Sequence, residues 1–489
     1  MIAPRSCYRS DATASEREIV QQTIAVIGAG FSGTLLALHL LRRCPPTTSV
    51  VLIERNSGFG RGQAYATGNA NHLLNVPAGR MSAFRDRPDD FVAWLQRQAG
   101  ADGTAAPAPG AFISRGLFGN YVRHLLEVER QAPGRGERLL LLQGDVVGLR
   151  KHPGSLALLM ADGREVPAGL AVLAVGNFPP ELPPGADPGA VDRPWYRPDP
   201  WAPDTFSELD ADAPVLLIGT GLSTVDGVVS LLDAGHRGPI HALSRRGLLP
   251  RSHARRADVI LPSQVPPLPT ALSALTRLVR DQARRRVTQG GSWHAVVDAL
   301  RPFTQELWQA MAHDEKARFL RHLRPWWDVH RHRMAVPVAE RIEAALASGQ
   351  FRIHVGRIRQ IRDEGDGAAV DFRRRADGQE ETLTVARIVN CAGPGCDYDR
   401  IRDPLVRDLL ATGHARPDPF RLGLDITGAC AVRAADGAIS RRIFAVGPVT
   451  KAAFWEMTAV PDIRRQCEAL AEHLAAVVAV SPPLAVPAV

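Results

Sequence analysis

Two stretches of this sequence, GAGFSG at residues 28–33 and GTGLSTVD at 219–226, have residue types and spacing suited to holding phosphate. The chemistry would come from the backbone. A first glycine permits a tight turn, a second lets the chain approach a pyrophosphate, and a third allows a helix to pack close against a strand. A helix that starts inside such a turn aims its unpaired N–H groups at negative charge. The glycines are Gly28, Gly30 and Gly33 in the first stretch. In the second they are Gly219 and Gly221, with Ser223 and Thr224 near the third position.

The two turns differ in the residues downstream of them. Glu54 lies 21 positions after Gly33, close to the spacing of about 20 at which an acid accepts hydrogen bonds from a ribose diol. The corresponding place after the second turn holds Ser244, Arg245 and Arg246. An acid there would repel a 2′-phosphate, whereas arginines pair with one. The first site is therefore expected to take a dinucleotide without the extra phosphate, and the second to prefer NADPH, with NADH possible. The alternative for Arg245 and Arg246 is an ordinary place on an arginine-rich surface.

Both turns need a strand before them and a helix after them. TIAVIGAGFSGTLLALHLLRRC supplies an apolar strand to Ile27 and a helix with Leu35, Leu36, Leu38, Leu40 and Leu41. SVVLIERN adds a strand ending at Glu54. APVLLIGTGLSTVDGVVSLLDAG and PIHALSRRG repeat the arrangement. AGLAVLAVGN (168–177) and ARIVNCAGP (386–394) are apolar strands ending in small-residue turns, where a chain can cross between domains. RRIFAVGP (441–448) precedes an amphipathic helix from about 459 to 474, and this junction could aim backbone N–H groups at a flavin.

The expected fold is α/β, with two Rossmann-like dinucleotide-binding domains, for FAD and NAD(P)H, and a helical insertion. Residues 1–22 read as a disordered leader, 23–190 as the first part of the FAD-binding domain, and 213–390 as the NAD(P)H-binding domain with its insertion at about 262–349. Residues 391–475 return to the FAD-binding domain, and 476–489 form a flexible tail. Two such folds in one chain have a chemical reason, since a flavin held by one can be reduced by a nicotinamide held by the other.

Composition narrows the class. With 489 residues, 45% hydrophobic and 22% charged, the chain reads as a globular protein of several domains. No uncharged apolar run reaches the ~18 residues of a membrane helix, and the N-terminal stretch lacks the apolar block of a secretory signal. A cytoplasmic location is expected. The net charge of +8 is dispersed, and the only lysines are Lys151, Lys316 and Lys451; no basic stripe with interleaved aromatics marks a nucleic-acid binder. Six scattered cysteines without a CxxC pair argue against a zinc ribbon, and His39, on an apolar helix, reads as core; no metal is expected.

Three longer strings are more specific than the glycine turns: GRGQAYATGNANHLLNVPAGRMSAF (60–84), RHLRPWWDVHRHRMAVP (321–337) and VGPVTKAAFWEMTAVPDIRRQ (446–466). Through them the chain, from Thr23 to about Leu474, resembles the bacterial FAD-NAD(P)-binding protein family. That family is distantly similar to lysine and ornithine N-hydroxylases and Baeyer-Villiger monooxygenases, and it includes an FAD-dependent urate hydroxylase. The resemblance implies NAD(P)H-dependent flavin chemistry. It carries Gly28, Gly30, Phe31, Ser32, Gly33 and Glu54 over to the ADP half of FAD and places Arg61, Gly62 and Asn75 along the flavin half. The other reading of Asn75 is the cap of a turn. Val146 meets adenine through its backbone or is a buried strand valine. Gly447 departs from the pattern of many flavoproteins, since proline follows it where aspartate would touch the ribityl chain.

The helical stretch from Pro262 to Gly349 concentrates Trp326, Trp327, Asp328, His330, Arg331, His332 and Arg333. Trp327, His330, Arg331 and His332 are the substrate-pocket candidates, able to stack on a planar ligand and hold its anionic edge; the bland reading is core tryptophan beside solvated charge. The expected reaction is transfer of one oxygen atom from a flavin C4a-(hydro)peroxide to a small polar substrate, a urate-like heterocycle or an amine, with molecular oxygen as co-substrate. No protein nucleophile is needed for it. Two other readings stand beside it: a flavin-bound redox-sensing or interaction protein with little turnover, and a disulfide reductase using Cys391 and Cys396. The substrate and the oligomeric state are not written in these residues.

Overall fold

The computed structural model describes residues 22–103, 105–255 and 258–480. The expected leader, apart from Gln22, and residues 481–489 of the expected tail lie outside them.

The short apolar run β1 (Thr23–Ile27) is buried along its whole length and pairs in parallel with β2 (Ser49–Glu54), which in turn pairs with β3 (Leu139–Gln143). An antiparallel three-stranded sheet comes next: β4 (Val146–His152), β5 (Ser155–Met160) and β6 (Glu165–Ala168). The chain then returns as β7 (Leu170–Leu173) on the other side of β1. Strands buried on both faces read as continuous apolar runs, and the two faces separate with the two-residue period of a strand. Ile24, Val26, Val50 and Leu52 face the helices Phe31–Arg43, Arg115–Arg130 and Val460–Val480. Ala25, Ile27, Val51 and Ile53 face the three-stranded sheet.

After β7 the chain crosses to a second sheet. It contributes β8 (Tyr196–Arg197), β9 (Val215–Ile218), β10 (Ile240–Ser244), β11 (Phe351–Glu364), β12 (Gly367–Arg374), β13 (Glu380–Val385) and β14 (Arg387–Asn390), in the spatial order β13-β12-β11-β10-β9-β14-β8. β9 lies inside this sheet, parallel to β10 and β14. The chain crosses back after β14 as β15 (Ala431–Arg433) and β16 (Ile439–Ala445), completing the six-stranded order β15-β16-β7-β1-β2-β3. The two apolar strands ending in small-residue turns are thus β7 and β14, and each leads into a crossing.

The regular elements between β10 and β11 are all helices among the described residues, preceded by an irregular stretch to about 261. The last of these helices, Val336–Ala347, packs with Leu222–Asp233 on the second sheet through Val338, Ala339 and Ile342, as the helix that connects two parallel strands must. The C-terminal helix runs Val460–Val480, so residues 476–480 belong to it rather than to a tail; Val477 and Val478 pack on the first core.

Candidate functional site

The two glycine turns have one geometry. Gly28 follows β1 with φ +102°, and Gly219 follows β9 with φ +115°. A side chain at either would be strained and would strike a carbonyl oxygen, that of Ala174 after β7 or that of Cys391 after β14. Each amide is anchored to the neighbouring strand: the Gly28 N–H donates to the Ile53 carbonyl (2.8 Å) and the Gly219 N–H to the Leu243 carbonyl (2.9 Å). Gly30 and Gly221 then cap the helices Phe31–Arg43 and Leu222–Asp233 in extended conformations, ψ −167° and −169°, without a side-chain cap. First-turn N–H groups that no side chain satisfies are open to an anion. A Cβ built on Gly221 would enter open space.

The strand ends differ as their sequences do. Glu54 Oε2 accepts from the Ala29 N–H at 2.8 Å, so the carboxylate stands at the rim of the first turn. In the equivalent place Ser244 Oγ shares a 3.0 Å hydrogen bond with Thr220 Oγ1, and no carboxylate is present. Arg245 is exposed there. Arg246 turns toward the helical insertion, its Nη2 and Nη1 donating to the carbonyls of Arg321 (3.3 Å) and His322 (3.4 Å). Ser223 is half-buried and Thr224 fully buried beneath the turn.

Segment 60–62 closes over the first turn. The Gly60 N–H donates to the Ala29 carbonyl at 2.8 Å, and a Cβ on Gly62 would lie 2.9 Å from Gly30 Cα. Arg61 lies between them, with Nη2 on Asn120 Oδ1 (2.5 Å) and a buried Nε that has no partner, a donor a phosphate oxygen would satisfy. Phe31 is buried against Tyr65 and Phe118. Gly447 packs on the same helix, since a Cβ there would lie 2.5 Å from Ser32 Oγ. Its N–H donates to Gln466 Oε1 at 2.8 Å, so this amide of the β16–helix junction is already satisfied from within and is not aimed outward as the sequence suggests. Val146 is a core valine between the two sheets of the first domain.

Asn75 meets the other half of the protein: its carbonyl accepts from His253 Nε2 at 2.9 Å. Burial, with help from Arg333, lowers the His253 pKa to about 4, which keeps the ring neutral. A larger clamp nearby went unread in the sequence. Asp226, the acid that ends GTGLSTVD, receives Arg115 Nη1 and Nη2 at 2.5 and 3.2 Å, and its carbonyl bonds His72 Nε2 at 3.1 Å. The signal was a carboxylate in the first half of the helix, flanked by Val225, Val228 and Val229. The helix of the second turn is thereby fixed directly to the segment that follows the first.

The substrate-pocket candidates divide. Trp327 Nε1 and Arg331 Nε both donate to Glu456, the latter at 3.0 Å, and His332 Nε2 stands 3.9 Å from the same carboxylate. Glu456 is 4% exposed with φ +63°, and Arg331, also buried, keeps an unpartnered Nη2. Burial lowers the His332 pKa against the opposing pull of Glu456. His330 leaves this group; its Nδ1 bonds the Trp326 carbonyl at 2.7 Å and its ring packs edge-on against Trp293. Glu456 was not foreseen, because its partners Trp327 and Arg331 lie 129 and 125 residues away in sequence. Beside it Trp308 and Trp455 stack at 4.8 Å, with Lys316 over the first ring (5.5 Å) and Lys451 over the second (5.4 Å). The scarcity of lysine in an arginine-dominated chain was the available signal.

No cluster of metal ligands occurs among the described residues. Cys391 and Cys396 are free thiols. Burial pushes the Cys391 thiol well above its usual range, away from the thiolate that redox exchange requires.

Two glycine turns of one geometry, on two largely parallel sheets that the chain threads in alternation, define an FAD- and NAD(P)-binding flavoprotein of the two-domain kind. Residues 25–178 match the model of the FAD-NAD(P)-binding family. No curated protein matches by sequence. Among solved structures, the ornithine N-hydroxylase of Kutzneria sp. 744, determined with reduced FAD, NADP+ and L-ornithine, is 15% identical with a TM-score of 0.63, covering 92% of this chain and 98% of that one. The L-lysine 6-monooxygenase of Pseudomonas syringae is 15% identical with a TM-score of 0.62, covering 93% and 99%. Thioredoxin reductase of Lactococcus lactis is 12% identical with a TM-score of 0.51, covering 94% and 99%. The fold is that of FAD/NAD(P)H oxidoreductases, and among the described residues no helix is long and apolar enough to cross a membrane.

Proposed function

We propose that this protein is an NADPH-dependent flavin monooxygenase that adds one oxygen atom to a small polar substrate, a urate-like heterocycle or an amine. The observation that carries the reading is the pair of equivalent turns with unlike rims, Glu54 at one and Ser244 with Arg245 at the other. FAD fits the first: backbone N–H groups of Phe31, Ser32 and Gly33 at the pyrophosphate, Glu54 at the ribose diol, Arg61 with its unpartnered Nε at a phosphate, and Gly62 and Asn75 toward the flavin. NADPH fits the second, with its pyrophosphate at the helix that Gly221 caps, Ser223 beside the turn and Thr224 beneath it, and its 2′-phosphate at Arg245, Arg246 being held toward the insertion. Bound FAD supplies the redox chemistry, passing two electrons from NADPH to molecular oxygen so that one oxygen atom enters the substrate and the other leaves as water.

The chain's own residues hold and shield. Glu456 fixes Trp327 and Arg331 where the insertion covers the 447–462 segment, and the stacked Trp308 and Trp455 keep water from that seam. The orienting surface left for substrate is the half-buried His332 ring, with the unpartnered Arg331 Nη2 buried behind it.

The test is anaerobic bleaching of the bound flavin by NADPH and by NADH, followed by aerobic turnover with urate, related heterocycles and amines under labelled oxygen. Fast bleaching with NADPH and label in the product are expected. Tightly bound flavin that neither nucleotide reduces at a useful rate would replace this reading with the redox-sensing one.

A further inference from the structure

The insertion between β10 and β11 encloses a groove of about 510 Å³ that the redox reading leaves without a role. One wall is the helix Leu272–Thr288, which presents Arg277, Arg280 and Arg284; the facing wall presents Arg318 and His322; the single acid is Asp281. Positions i, i+3 and i+7 share one helix face, so the three guanidinium groups stand side by side, and like charges at this spacing destabilise a helix. Among the described residues slightly more than half of the arginines have a carboxylate partner. In the same helix Arg286 pairs with Asp258. Within the groove Asp281 lies 3.8 Å from Arg284, and at its edge Glu315, which also accepts from the Leu272 N–H, takes Arg318 at 2.8 Å. Among the described residues neither Arg277 nor Arg280 has an acidic partner, and both are exposed on the concave side.

Several guanidinium forks around a concavity of this size, with Leu272 and Leu323 also in its lining, suit a small ligand carrying phosphate. The groove is tied to the end of β10, beside the second dinucleotide turn, through Arg246, which bonds the carbonyl of His322, one of its lining residues. We propose that this groove is a binding site for a phosphate-bearing small molecule, recognised by Arg277, Arg280 and Arg318. The phosphate has two possible sources: the 2′-phosphate of NADPH reaching in from the Gly219 turn, which rests on the function proposed above, or a separate phosphorylated molecule, which does not.

The experiment titrates the purified full-length protein calorimetrically with inorganic pyrophosphate and with 2′,5′-ADP. It compares the unsubstituted protein, Arg277→Gln/Arg280→Gln, and Arg357→Gln/Arg359→Gln, an equal charge change on β11. Thermal unfolding establishes that each variant is folded. At least one probe should bind the groove variant tenfold or more weakly while the β11 variant binds as the parent does. A parallel tenfold rise in the KM for NADPH then assigns the phosphate to the nucleotide, and an unchanged KM assigns it to a separate ligand. The proposal is overturned if neither probe binds, if the groove variant binds both as the parent does, or if the β11 variant loses as much. NADPH oxidation by the unsubstituted protein tests the redox reading independently.

Discussion

At Gly28 and Gly219 the proposed nucleotide sites rest on backbone shape rather than side-chain chemistry. Each holds a conformation costing other residues about 1–3 kcal/mol, and each sits against a carbonyl that leaves no room for a Cβ. Gly28→Ala should therefore purify with less flavin, read from the ratio of visible to ultraviolet absorbance, and unfold at lower temperature. Gly219→Ala should keep its flavin and lose reduction by NADPH. In the proposed function the rims separate the two nucleotides on the same scale. A charge-assisted hydrogen bond is worth about 1.5–3 kcal/mol, so Arg245→Gln should raise the KM for NADPH tenfold or more and leave that for NADH unchanged. Equal effects on both nucleotides would place Arg245 outside phosphate recognition.

At the scale of elements, long-range ion pairs hold the parts in place. Arg115 and Asp226 join the segment after the first turn to the helix of the second, and Arg331 and Glu456 join the insertion to the loop after β16. Both partners of the second pair are buried, so removing one strands a charge, at a cost of about 3–5 kcal/mol. Glu456→Ala should release the helix Arg324–Arg331, seen as faster amide exchange there, while β1 and β2 remain protected. Unchanged exchange in that helix would show that stacking of Trp308 on Trp455 suffices to dock the insertion.

For the whole molecule, pH acts through histidines that folding buries. Burial lowers the pKa of His39, His241 and His253 from 6.5 to about 4. Between these values the unfolded chain binds more protons than the folded one, so stability is complete above about pH 6.5 and declines as pH falls toward 4. Thermal unfolding midpoints should drop over this range, and His253→Gln should flatten part of the slope. A parent midpoint that holds steady from neutral pH down to the lowered histidine range would contradict this account.

The sequence by itself determined the two strand–turn–helix units, the acid at one rim and the arginines at the other, and the crossings after β7 and β14. These arise from hydrophobic period and local turn chemistry, which act over a few neighbouring residues. Only the tertiary structure decided that Arg246 turns toward the insertion and that the Gly447 amide is satisfied by Gln466. It also decided that His330 parts from Trp327 and Arg331, and that Asp226 and Glu456 anchor the assembly. Apart from His330, whose partner Trp326 is four residues away, the partners in those outcomes lie from 19 to 154 residues apart in sequence. The burial of two sheets brings them together, and no local pattern encodes which distant charge will arrive.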